Sequence, residues 1–248
     1  MRTLYGGRRS RAGKPGRIQV RESRFGRELW VDGTFASFHR AGSVSTGSVW
    51  DAIAAGLLAL PPERRRRVLV LGLGAGSVAR LVRALAPRAH IVGVEFDPEI
   101  VEVSRTFFGL DGLDLEVTVG DARAYLERSR RRFDAILEDV FVGSGDAVQK
   151  PEWLPQPGHR LAVRRLAPGG VLVSNALDEA SFVSWSLRSL FPSVVRVDVE
   201  DYDNRIFVGG GEGLSARSLR SRVAADPVLR GTLPLLSFRS LEGVQGAP

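Results

Sequence analysis

Three carboxylates stand at the ends of strand-like runs: Glu95 after His90–Val94, Asp121 after Leu115–Val119, and Asp139 after Phe133–Glu138. A fourth run, Val68-Leu69-Val70-Leu71, ends instead in Gly72-Leu73-Gly74-Ala75-Gly76 and leads into a helix from Ser77. Glycine lets a backbone turn sharply and approach a ligand closely, and the following helix offers unpaired N–H groups. Glu95 lies 19 residues beyond Gly76, where an acid can accept hydrogen bonds from both ribose hydroxyls. In Gly120-Asp121-Ala122 the carboxylate can accept an adenine amino group while a backbone N–H meets a ring nitrogen. An N-cap role for Asp121 is compatible with this. Asp139 falls where the ligand-binding edge of such a sheet meets the reactive end of its ligand. A carboxylate there can take or orient the proton of an attacking amine.

Composition removes the other chemistries. The 248 residues contain no cysteine, so disulfides, zinc-thiolate sites and thiol catalysis are excluded. His39, His90 and His159 share no metal-ligand spacing, so no metal is expected. No apolar run reaches the roughly 18 residues of a membrane span. Val49–Leu60 comes nearest, but Asp51 interrupts it and Pro61-Pro62 ends it. Without a signal or a span, the expected location is the cytoplasm. The net charge is +7, and of 35 basic residues only Lys14 and Lys150 are lysines. No nucleic-acid motif accompanies that charge, so a solvated basic surface is preferred to a nucleic-acid site.

The elements that must position the carboxylates alternate strand with helix. That order specifies right-handed crossovers and a doubly wound, mostly parallel sheet, here of seven strands, in an α/β Rossmann-like domain. Residues 1–17, with six basic and no acidic side chains, read as a flexible arm. Residues 18–62 read as a small β-hairpin unit with turns at Phe25-Gly26 and Asp32-Gly33, followed by a helix over 46–60. Residues 63–210 form the nucleoside-binding domain, closed by an antiparallel hairpin of Val194–Val199 and Arg205–Val208. Residues 211–248 read as a helix and tail. By strand alternation, Glu138 should point to the face opposite Asp139.

The glycine turn alone fits NAD as well as a sulfonium nucleoside, with Ser77 where a dinucleotide fingerprint has its third glycine. Gly120-Asp121-Ala122 favours the sulfonium nucleoside. With VLVLGLGAGS (68–77), VGVEFDPEIVEVSR (92–105), VGDARAYL (119–126), FDAILEDV (133–140) and LAPGGVLVSN (166–175), the chain resembles the spermidine synthase family of the S-adenosylmethionine-dependent methyltransferase superfamily. The resemblance implies S-adenosylmethionine or its decarboxylated form as donor, a small-molecule amine acceptor and a homodimer. It also implies Gly72, Gly74, Gly76, Glu95, Asp121 and Ala122 as nucleoside contacts, with Asp139 catalytic.

The acceptor half departs from the pattern. Ala75 replaces an Asp in the glycine loop, and Val49-Trp50-Asp51 replaces Tyr-His-Glu. Ala36 stands where the family has a glutamine. Val140-Phe141-Val142 follows Asp139 in place of Ser-Ser-Asp, and Tyr202-Asp203 replaces a tyrosine-proline pair. A diamine needs a partner for each desolvated ammonium. Candidate acceptor contacts are therefore Trp50, Asp51, Phe141, Asp201 and Tyr202. The expected function is alkyl transfer, methyl or aminopropyl, to an acceptor other than putrescine. The alternatives are an orthodox aminopropyltransferase and a non-catalytic nucleoside-binding protein.

Overall fold

The central strands are apolar on both faces because helices cover both. In the computed structural model, which describes residues 1–11 and 14–242, β5 (Arg67–Leu71) and β8 (Phe133–Glu138) are buried except at Arg67. Side chains alternate across a strand. Val68 and Val70 therefore enter one core, shared with α1 (Val49–Ala55) and α2 (Ser77–Leu85), while Leu69 and Leu71 enter another, shared with α4 (Ala122–Arg128) and α6 (Ala180–Leu190). Each such leucine, fully buried, stabilises the fold by about 1.5–3 kcal/mol.

The main sheet runs β12-β10-β11-β9-β8-β5-β6-β7. β9 (Leu166–Ala176), β8, β5, β6 (His90–Glu95) and β7 (Glu116–Val119) are parallel. β11 (Arg205–Gly210), β10 (Ser193–Val199) and β12 (Leu236–Leu241) add on antiparallel. The sheet thus has eight strands, not seven. β12 comes from the end of the segment read as a helix and tail, whose helix is α7 (Ala216–Ala225). β12 buries little beyond Leu236 and is specified by backbone pairing with β10, so its residues show no alternating apolar pattern.

The N-terminal unit is also larger than a hairpin. β1 (Arg2–Arg11), β2 (Lys14–Ser23), β3 (Gly26–Val31) and β4 (Thr34–Arg40) form a four-stranded antiparallel sheet. The stretch read as a flexible arm is β1, held by its ladder to β2 and by Leu4 and Tyr5 packing on a third core. That core joins Ile18, Val20 and Leu29 to Ile100, Val103 and Phe108 of α3 (Pro98–Phe108), with Ala75 of the glycine loop between them. The helix expected over 46–60 is α-helical only from Val49 to Ala55 and continues as a 3-10 turn to Ala59. α5 (Gly158–Arg164) completes the layer outside β8 and β9. No helix among the described residues is long and apolar enough to cross a membrane.

Candidate functional site

The carboxyl ends of β5, β6, β7 and β8 open onto one cavity of about 450 Å³, roofed by β3, β4 and the loop after β8. Its floor is the glycine loop. Gly72 has φ +80°, and a Cβ there would come within 2.4 Å of the Asp139 carbonyl oxygen. Gly74 has φ +53°, and its Cβ would strike the Ser37 hydroxyl at 2.6 Å. A side chain at either position would be strained and would clash. Ser37 and Ser77 tie the two sheets together here. The Ala75 N–H donates to Ser37 Oγ at 2.9 Å, and the Phe38 N–H donates to Ser77 Oγ at 2.9 Å.

Glu95 lies at the end of β6, 8% exposed and lining the cavity. Its Oε2 accepts the Gly74 N–H at 2.9 Å and its Oε1 the Asp97 N–H at 3.1 Å. A carboxylate offers about four acceptor sites, and with the Phe96 backbone also bonded to it, capacity for a ribose hydroxyl remains. Burial pushes its pKa up, against the pull of those backbone N–H groups. Asp121 is exposed, caps α4 by accepting the Ala124 N–H at 2.8 Å, and lines the same cavity. Ala122 lines it too. A glycine cradle too tight for side chains, with two carboxylates at its rim, fits an adenosine-type group.

Asp139 also lines the cavity. Its N–H is held by the Leu71 carbonyl at 2.9 Å, which fixes it beside Gly72. Asn175 Nδ2 donates to Asp139 Oδ1 at 2.7 Å, and Asn204 Nδ2 donates to Asn175 Oδ1 at 2.9 Å. Burial raises the Asp139 pKa. The Asn175 hydrogen bond, the Lys150 charge and the Trp50 indole oppose the rise, and Glu138 adds to it.

Glu138 points away, as alternation requires, but into a polar network rather than plain core. Lys150 Nζ, 1% exposed at the side chain, meets Glu138 Oε1 at 2.6 Å and donates to the Val140 carbonyl at 3.0 Å. The Val140 N–H donates to Glu138 Oε1 at 2.7 Å, and Ser174 Oγ donates to Glu138 Oε2 at 2.6 Å. With the Ser174 proton given to Glu138, His159 Nε2 at 3.3 Å must donate to Ser174, and Nδ1 must accept from Ser186 at 2.9 Å. Gln156 Nε2 donates to Ser186 at 2.6 Å. The ring assigned this way is neutral near pH 7. Burial, with the Lys150 charge, lowers its pKa to about 3. His159 is a structural group.

Of the residues expected to meet an acceptor, Trp50, Phe141 and Tyr202 line the cavity, and Asp51 and Asp201 do not. Asp51 is 1% exposed, and its carboxylate accepts the Thr46 N–H, the Thr46 hydroxyl and the Gly47 N–H. It clamps the turn that starts α1. Asp201 has φ +64° and faces outward at the β10–β11 turn. Three participants escape a reading by motif: Lys150, Asn175 and Asn204. Lys150 stands out as one of two lysines among 35 basic residues, and Asn175 as a polar residue near the end of a buried strand. No group of three or more metal-ligating side chains occurs among the described residues.

The spermine/spermidine synthase domain model matches residues 53–184. A polyamine aminopropyltransferase of Vibrio vulnificus is 32% identical over 164 residues, 62% of this chain and 52% of that protein. The chain spans about half or less of the length of the first three curated relatives it matches. Human methyltransferase-like protein 13, solved in complex with SAH, is 27% identical with a TM-score of 0.61, covering 75% of this chain and 92% of that one. A probable spermidine synthase from Corynebacterium glutamicum shares the fold over 99% of this chain and 96% of its own, with a TM-score of 0.72 at 20% identity.

Proposed function

The chain belongs to the spermine/spermidine synthase family, and on that premise we propose that it transfers an alkyl group from S-adenosylmethionine or its decarboxylated form to a small amine acceptor other than putrescine. The observation that carries this reading is the shared cavity of Gly72, Gly74, Glu95, Asp121 and Asp139. The donor supplies a carbon bonded to a cationic sulfur, which leaves as a neutral thioether when an amine nitrogen takes that carbon. Glu95 and the glycine loop hold the nucleoside. Asp121 and Ala122 meet the base.

Asp139 receives the proton that the nitrogen loses, and its upward-shifted pKa suits a carboxylate that must accept one. Asn175, oriented by Asn204, keeps the Asp139 carboxylate aimed.

The similarity to aminopropyltransferases favours putrescine as a second reading. Against it stand Ala36, Val49, Trp50 and Val142, which line the cavity with no charge. The deciding assay supplies each donor with putrescine and measures methylthioadenosine and spermidine together. Spermidine formation at several turnovers per second, the ordinary enzyme range, would make the protein an orthodox aminopropyltransferase. Little or none is expected.

A further inference from the structure

Four carboxylates line the cavity: Glu95, Asp97, Asp121 and Asp139. The first three stand at or just beyond the ends of β6 and β7, around the nucleoside cradle. Asp139 alone stands at the end of β8. The wall around it includes Val49, Trp50, Phe141 and Val142, and its polar members Asn175, Tyr202 and Asn204 bring no carboxylate. Trp50 is backed edge-on by Phe35 with ring centroids 5.2 Å apart, so this wall is a packed aromatic surface. Behind Phe141, Lys150 Nζ sits 3.9 Å from the ring centroid and is neutralised by Glu138, so it offers no partner to a substrate charge.

Resting on the transferase reading above, we infer that the acceptor is a monoamine with an apolar or aromatic body: one nitrogen for Asp139 and a hydrocarbon or ring for the Trp50–Phe141–Val142 wall. A second ammonium would lose its hydration against that wall, which carries no carboxylate, the other three lining carboxylates standing around the nucleoside cradle. A hydrocarbon end loses nothing there and gains burial.

The test uses full-length protein preloaded with methylthioadenosine and titrated calorimetrically with n-butylamine, phenethylamine and putrescine. Butylamine matches putrescine in chain length and differs only in its missing second amine. Butylamine and phenethylamine should bind at least tenfold more tightly than putrescine. In the Val142→Asp variant the preference should move at least tenfold toward putrescine. Putrescine binding as tightly as butylamine in the wild type would overturn the inference and leave the nucleoside site standing. An unchanged preference in Val142→Asp would overturn the placement of the acceptor body on this wall. Failure of methylthioadenosine itself to bind would instead remove the transferase reading, and this inference with it.

Discussion

Asp139 and Glu138 are adjacent in sequence, and the strand sends their carboxylates to different work. Asp139 must be ionised to receive a proton, and burial holds its pKa above the usual carboxylate range. Catalytic efficiency should therefore fall as pH drops through that raised value. Asp139→Asn should lose about 10²–10⁴ in turnover and its acid limb, while methylthioadenosine binds within about twofold of the wild type. Full activity in that variant would assign the proton to another group. Lys150→Met leaves Glu138 buried without its partner, a loss of about 3–5 kcal/mol that thermal or urea unfolding will read. It also removes a charge that lowers the Asp139 pKa, so the acid limb of the rate profile should move to higher pH. An unmoved limb would confine Lys150 to stability. Asp139, Glu95 and Asp121 were legible in the sequence because each closes a strand-like run in a chain that alternates strand with helix. The Asp51 role was not, because the carboxylate is used up by three donors on its own turn. Nor was Lys150, whose partner lies on a strand twelve residues away in sequence.

At the scale of elements, β8, β9, α5 and α6 are sewn together by the buried chain from Lys150 through Glu138, Ser174 and His159 to Ser186 and Gln156. This network sets a pH limit on the fold. His159 is neutral when folded, with a pKa near 3, whereas in the unfolded chain it protonates near 6.5. Between those values the unfolded state binds the extra proton, so stability is full above pH 6.5 and falls as pH drops, by about 1.4 kcal/mol per unit. The wild type should lose about 2 kcal/mol between pH 6.5 and 5 relative to His159→Gln. Taking the difference cancels the carboxylates Asp51, Glu95 and Asp139, whose raised values act in the opposite direction. Parallel pH curves for the two proteins would contradict the neutral, buried histidine. The parallel strands and the β10–β11 hairpin were legible because apolar runs mark them. β1 and β12 were not, since backbone pairing rather than burial specifies most of each.

At the scale of the molecule, two sheets share one site. The four-stranded sheet closes over the glycine loop through Ser37, Ser77 and the core around Ala75, so the proposed nucleoside cradle is built by both. The order of elements specified the Rossmann-like sheet, whereas the size of the N-terminal sheet depended on pairing that no local pattern announces. The central claim is that this joint cavity holds an adenosyl group through Glu95, and calorimetric titration with methylthioadenosine tests it most directly, using wild-type and Glu95→Gln protein with NAD in parallel. Glutamine preserves one acceptor for the loop N–H groups but loses a charge-assisted bond to ribose, each such bond being worth about 1.5–3 kcal/mol. A single nucleoside site is expected, at least tenfold weaker in Glu95→Gln, with no comparable affinity for NAD. Equal nucleoside affinity in the two proteins, or tight NAD binding with no nucleoside binding, would contradict it.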